Sequence, residues 1–230
     1  MSTVLAHRGN LAGRTLRGEN SRAAIGAALT RGFGIETDIR RASDGRFYIA
    51  HDPQPAADDA LADDVFELLR AYPDRTVALN VKEIGYESAL LDYLRDQRVL
   101  RQVFLFDMEL IEPVPGEMAE RFRSLDRDVR IAARVSDRGE SIERALAIRA
   151  ASVIWLDEFV RPWATEADVR RLKQAGRTVH AVSPDLHGSS LERSRARWAQ
   201  FNAWGVDGIC TDYPVELREY LDGVTHGVRA

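Results

Sequence analysis

The sequence predicts an α/β fold of the (β/α)8, or TIM, barrel class, formed as a single domain over residues 1–230. Three observations carry this. Short β-branched or aromatic runs alternate with amphipathic stretches, the pattern of parallel strands joined by crossover helices. The runs number roughly eight, the number that closes a barrel. A chain of 230 residues suits one barrel with one core, and no low-complexity linker divides it.

The expected strands are VLAHRG from Val4, GIETDIR from Gly34, TVALNVK from Thr76, QVFLFDM from Gln102, RIAARVSD from Arg130, SVIWLDEF from Ser152, TVHAVSPD from Thr178 and VDGICTDY from Val206. Helices fall between them. Ser21 is placed to cap a helix through RAAIGAALT, with Gly32 past its end. Residues Ala60 to Ala71 read as a helix before the third strand. Thr165 opens TEADVRRLKQAG with acids in the first turn, Lys173 in the last and Gly176 as the stop. Pro214 opens PVELREYL, where a first helical turn tolerates proline. The run LERSRARWAQ reads as a helix with a solvated arginine face and Trp198 turned inward.

Composition narrows the function. With 36 acidic and 32 basic residues the net charge is -4, so there is no basic field to hold nucleic acid or anionic lipid non-specifically. No apolar run nears the roughly 20 residues of a membrane span, and MSTVLAHRGN does not read as a signal peptide, so a soluble, cytoplasmic protein is expected. Cys210 is the single cysteine and reads as a small buried apolar residue.

Residues capable of chemistry gather at the C-terminal ends of the expected strands, where a barrel carries its active site. The first strand ends in His7-Arg8-Gly9. On the second, Glu36 and Asp38 stand two apart and share a face, so an inward orientation brings both carboxylates to the mouth. Two such acids repel each other unless a cation joins them, and oxygen ligands suit Mg2+ or Ca2+. The competing reading is a pair of solvated acids on an edge strand. Asp44-Gly45 reads as a tight turn, and the alternation of RFYIAHDP sets Phe47, Ile49 and His51 on one side of a returning strand that brings His51 over the mouth. On the third strand Asn80 and Lys82 share a face. An inward lysine requires an anion, either a carboxylate or a substrate phosphate. A cation, Arg8 and Lys82 at one mouth point to a phosphoryl group.

These residues carry a resemblance. His7-Arg8-Gly9, Glu19-Asn20, Glu36-Thr37-Asp38, Asp44-Gly45, His51-Asp52-Pro53 and the closing WGVDGICTDYP from Trp204 follow the order and approximate spacing of the glycerophosphodiester phosphodiesterases, with sphingomyelinase D as a more distant relative. The match is dense over the first fifty-odd residues and returns at the last strand. The resemblance implies a barrel of the phospholipase-C-like phosphodiesterase type, His7 and His51 as general acid and base, and Glu36 and Asp38 on a divalent cation, Mg2+ or Ca2+. It further implies a small phosphodiester substrate, linked to glycerol or a sugar and cleaved through a cyclic phosphate. Where the family reads Glu-x-Lys on the third strand, this chain has Asn80 and Lys82, so Asn80 takes the place of a charged metal ligand; Glu83 points to the other face.

Further strand-end residues are weighed as pocket or structure. Arg134, Trp155 and Asp157 are read as a pocket set, against a buried Arg134–Asp157 pair and a core Trp155. Asp107, Ser136, Asp185 and His187 are additional candidates. Two rival functions stand beside the phosphodiesterase: a phosphate-binding barrel without turnover, supported by Asn80, and a barrel lyase with Lys82 as a Schiff-base lysine.

Overall fold

The computed structural model describes residues 2–15, 18–53 and 61–227. In chain order the elements are β1 (Thr3–His7), α1 (Arg22–Thr30), β2 (Gly34–Arg41), β3 (Phe47–Ile49), α2 (Ala62–Arg70), β4 (Val77–Val81), α3 (Glu87–Asp96), β5 (Val103–Phe106) and α4 (Glu117–Leu125). They continue with β6 (Arg130–Ser136), α5 (Ile142–Ala147), β7 (Val153–Asp157), α6 (Glu166–Gln174), β8 (Thr178–Val182), α7 (Leu191–Ala203), β9 (Gly208–Thr211) and α8 (Pro214–Gly227). Eight strands pair in parallel in the order β1-β2-β4-β5-β6-β7-β8-β9, and β9 returns to β1. The sheet closes as a (β/α)8 barrel.

Alternation along each strand divides the apolar residues into two layers. Val4, Ile35, Leu79, Leu105, Ile131, Ile154, Val179 and Ile209 face outward into the main core beneath the helices. Leu5, Ala78, Phe104, Ala132, Val153, Trp155, Val182 and Cys210 fill the lumen. The lumen is therefore packed, and the site is confined to its mouth. Lower in the lumen, the His180 ring lies against Gly208, where a Cβ would come within 2.3 Å of His180 Nδ1.

The expected caps are present: Ser21 accepts from the Ala24 N–H, and Thr165 forms a capping box with Asp168. The helix expected over Ala60–Ala71 spans Ala62–Arg70; Ala60 lies outside the described residues. Trp198 is buried, and its indole donates to Ser183 Oγ at 2.7 Å. The solvated arginine face of α7 holds for Arg193 and Arg195, which are exposed, and needs correction only at Arg197, which is buried against Glu158 with its guanidinium over Phe201 and Trp204. Arginine spacing on a helix does not reveal a carboxylate waiting 39 residues earlier.

One irregularity builds the mouth. β2 pairs with β1 only as far as Glu36, and its last residues, Ile39–Arg41, overshoot and pair instead with β3, running antiparallel. The Asp44-Gly45 turn, with Gly45 at φ 91°, returns the chain, and His51 past β3 lines the cleft with His7 and Lys82. Phe47 and Ile49 enter the core as expected. His51 does not follow them: the strand ends at Ile49, the alternation ends with it, and His51 is exposed.

Candidate active site

His7 is the last residue of β1 and points into the lumen mouth. Its Nδ1 lies 2.7 Å from Asp212 Oδ1, just past β9, and its Nε2 lies 3.7 Å from Glu36 Oε2. Burial works against a charged imidazole, but the hydrogen bond to Asp212 and the charges of Glu36 and Asp212 outweigh burial and the opposing Arg8, so the His7 pKa rises. Asp212 is itself held by Asn10 Nδ2 at 2.8 Å and, through its backbone N–H, by Asp185 Oδ2 at 2.9 Å.

The chain then leaves β1 through a tight reversal. Arg8 adopts φ 50° and Gly9 φ 78°, and a Cβ on Gly9 would come within 2.7 Å of the α1 backbone. The reversal lets Arg8 reach Glu19 Oε1 at 2.7 Å and Asp38 Oδ2 at 3.1 Å. Asn20 donates to Asp38 Oδ2 at 2.8 Å and accepts from Thr37. Glu19-Asn20 thus shapes the first loop and steadies the second strand.

Glu36, Asp38, Asn80 and Lys82 project inward as expected, in different states. Lys82 Nζ lies 2.9 Å from Asp38 Oδ1. Burial pushes the Asp38 carboxyl up, but Lys82, Arg8 and Asn20 together bring it below the ordinary range, so Asp38 is a carboxylate with its oxygens engaged. Glu36 has no such support. Burial and the nearby Asp38 charge, partly offset by His7, Arg8 and Lys82, leave it pushed up to about 7. Its Oε2 is buried without a hydrogen-bond partner. Asn80 donates to Asp107 Oδ2 at 2.9 Å, which leaves its own Oδ1 buried and unpartnered.

His51 lines the same cleft from its rim, with Nδ1 2.9 Å from Asp52 Oδ1. Its carbonyl accepts from Arg40 at 2.6 and 3.0 Å, and Arg40 is braced by Glu83 at 2.7 Å. Glu83, two residues past β4, is not part of the cleft lining and holds the guanidinium that tethers His51.

Across the mouth a second network continues from Asn80. Asp107, at φ 69° after β5, accepts from Arg134 through Nε at 2.9 Å and through Nη2; Arg134 Nη1 reaches Asp157 at 2.7 Å, and Asp157 meets His187 Nε2 at 2.6 Å. Arg134 and Asp157 are therefore a buried pair that also lines the cleft, and Trp155 forms its floor. Two candidates stand apart from the cleft. Asp185 accepts from Ser183, Thr211 and the Asp212 N–H, fixing β9 to β8. Ser136 donates to Glu140 and closes its own turn.

The cleft encloses about 430 Å³, lined by His7, Arg8, Glu36, His51, Asn80 and Lys82 on one side and by Arg134, Arg138, Asp157, Phe159 and His187 on the other. Asp212, Asn10, Arg40, Arg138 and Phe159 are the residues that sequence reasoning missed. Asp212 was the most accessible of them, since it stands two residues beyond the lumen-facing Cys210, where a strand-end carboxylate can orient a histidine.

No protein-family model and no curated protein matches the chain. Solved structures do. A protein from Galdieria sulphuraria with the provisional name glycerophosphodiester phosphodiesterase superposes with a TM-score of 0.75 at 18% identity, over 96% of this chain and 98% of that one. The fold is the one these phosphodiesterases share. A glycerophosphoryl diester phosphodiesterase from Parabacteroides distasonis gives 0.72 at 15%, over 97% and 87%. A phosphodiesterase from Oleispira antarctica, solved in complex with its product sn-glycerol-3-phosphate, gives 0.68 at 17%, over 96% and 97%. Identities at this level describe a shared architecture, whereas function depends on the site grafted onto it.

The oxygen donors suit a hard cation. Glu36 Oε2 and Asn80 Oδ1 both lack hydrogen-bond partners and both belong to cleft residues. Among the described residues there is no cluster of three or more histidine, cysteine or acidic side chains that could hold a metal. Glu36 and Asn80 are oxygen donors of the type that Mg2+ and Ca2+ take.

Proposed function

We propose that this protein is a phosphoric diester hydrolase that cleaves a glycerol- or sugar-linked phosphodiester by His7/His51 acid–base catalysis, assisted by a divalent cation. The observation that carries the reading is His7, braced through Nδ1 by Asp212 with Nε2 left to the same cleft that Arg8, Lys82 and His51 line. A site that only binds phosphate has no use for an Asp-braced histidine that shares its cleft with a second histidine. The Schiff-base reading requires a neutral lysine, whereas Lys82 is ion-paired to a buried carboxylate.

In this reading Arg8 and Lys82 hold the non-bridging oxygens of the phosphate. Glu36 and Asn80, joined by Asp38 when Lys82 turns to substrate, would hold Mg2+ or Ca2+, which supplies further charge neutralisation there. No serine, threonine or cysteine lines the cleft among the described residues, so the protein offers no hydroxyl or thiol nucleophile. A substrate hydroxyl beside the phosphate attacks phosphorus instead, with an effective concentration that reaches roughly 10⁵ M when well oriented. One histidine takes its proton. The bond to the leaving oxygen breaks, the other histidine protonates that oxygen, and a cyclic phosphate and an alcohol result. Water then opens the ring with the two histidines in exchanged roles. The glycerol phosphate held by the Oleispira protein supports a glycerophosphodiester as the first substrate to test.

Hydrolysis of glycerophosphodiesters, followed by phosphorus NMR with Mg2+, with Ca2+ and with chelator, tests the reading. His7→Ala and His51→Ala should each lose about 10² to 10⁴ in rate while remaining folded. A substrate analogue lacking the neighbouring hydroxyl should bind but turn over far more slowly, and a cyclic phosphate should appear with the parent. Full activity in either variant would refute the histidine pair. Equal cleavage of the analogue would refute attack by the substrate hydroxyl.

A further inference from the structure

The proposed chemistry uses one wall of the cleft. The facing wall is built from the loops after β6 and β7 and the short turn after β8, and it is unusually well fixed. Asp137, the first residue past β6, accepts hydrogen bonds from three successive backbone N–H groups of the next loop: Phe159 at 2.9 Å, Val160 at 2.9 Å and Arg161 at 3.1 Å. Glu158, buried against Arg197, accepts from Trp163 at 2.9 Å and Ala164 at 3.0 Å. Phe159 is thus held between two anchored carboxylates with its ring half-buried at the cleft. On that ring sits Arg138, its guanidinium carbon 3.8 Å from the centroid, with Arg134 at 5.1 Å and the His187 ring at 4.6 Å. A guanidinium stacked on an aromatic face keeps its donors ordered for an incoming anion.

The carboxylates of this wall are already engaged, Asp137 by the backbone of the next loop and Glu158 by Arg197. Arg134 is met by Asp107 and Asp157, and Asp157 also by His187. Among the described residues no carboxylate pairs with the exposed Arg138. Arg138 is therefore a cation without an ion-pair partner, on a rigid seat. It is also poorly suited to a cationic group. Phe106 and Trp155 are buried in the floor with centroids 4.4 Å apart, and the remaining aromatic face, Phe159, is already attended by guanidinium. A quaternary ammonium seeks an open aromatic face and would meet Arg138 there.

We infer that this wall is a subsite for an anionic leaving group, a carboxylate or a second phosphate, and that Arg138 on Phe159 is the residue that selects it. The inference rests on the phosphodiesterase reading for its direction. With the reacting phosphate beside His7, Arg8 and Lys82, a substituent that spans the cleft reaches Arg138, and in this assignment that substituent is the leaving group.

The test uses three diesters of glycerol phosphate that differ only in the leaving alcohol: glycolate, its neutral isostere glycolamide, and choline. The full-length protein should show a kcat/KM for the glycolate ester about fivefold to tenfold above that for glycolamide, the range of a partly exposed ion pair, with choline lowest and the preference weakened at high salt. In Arg138→Gln the glycolate-to-glycolamide ratio should fall to about one, and Arg138→Lys should restore part of it. Calorimetric binding of the same compounds reads the subsite independently of turnover. A charge preference in binding without turnover of any diester would leave the subsite standing and overturn the phosphodiesterase reading. Turnover at equal rates for glycolate and glycolamide, or a preference that survives in Arg138→Gln, would overturn the subsite and leave the phosphodiesterase reading intact.

Discussion

His7 depends on a carboxylate 205 residues away in the chain, and this contact sets both its orientation and its affinity for a proton. Asp212→Asn keeps the size of the side chain but removes the charge and weakens the tautomer preference. By analogy with other carboxylate-braced histidines, kcat should fall by about 10² or more. The His7 pKa is raised chiefly because Asp212 and Glu36 outweigh burial, so losing one of them should move its titration to lower pH, read by NMR on metal-free protein. An unchanged titration would mean that Asp212 is a bystander. This residue also illustrates what sequence could and could not reveal. His7 was legible as the end of its strand, and Glu36 with Asp38 and Asn80 with Lys82 by period-two spacing, which places side chains on one face without knowledge of the rest of the fold. Asp212 stood at the same height and was passed over, since only the closure of β9 on β1 makes it a neighbour of His7.

At the scale of elements, the strands were legible for the same reason, and the helix caps followed from single residues such as Ser21 and Thr165. Cross-element pairing was not legible, and α7 is the clearest instance. Arg197 and Glu158 are 6% and 5% exposed, and together they tie α7 to the loop that carries Phe159. Truncating one partner strands the other charge in a buried setting. Arg197→Ala should therefore cost about 3–5 kcal/mol in denaturant unfolding, whereas replacing both with apolar residues of similar volume, as in Arg197→Met with Glu158→Leu, should cost much less. A double variant as unstable as the single one would show that the hydrogen bonds to Trp163 and Ala164, rather than the stranded charge, hold the loop. Because Asp137 anchors the same loop from the other side, the single variant should also loosen the wall on which Arg138 sits.

Buried titratable groups in and around the barrel lumen respond to acid in opposite senses. Glu36 and Glu109 are both pushed up to about 7, mainly by burial. As pH falls from 7 toward the ordinary carboxyl range, the folded protein takes up their protons first, so they add stability. His180 acts the other way. It lies in the lumen against Phe104, with centroids 4.9 Å apart and Nδ1 unpartnered, and burial brings its pKa down to about 4. Between pH 6.5 and 4 the unfolded chain binds a proton that folded His180 refuses, so its contribution to stability falls by about 1.4 kcal/mol per pH unit over that window. The net acid response of the wild type mixes these terms and identifies none of them. His180→Phe keeps a ring beside Phe104 and Gly208 but removes the titration. Its stability at neutral pH carries a packing cost, which cancels when each protein is compared with itself at pH 7 and pH 5. The loss over that interval should be smaller in the variant by about 2 kcal/mol, measured by urea unfolding. Equal losses in the two proteins would mean that folded His180 accepts a proton as readily as the unfolded chain, which requires water or a counter-charge inside the lumen.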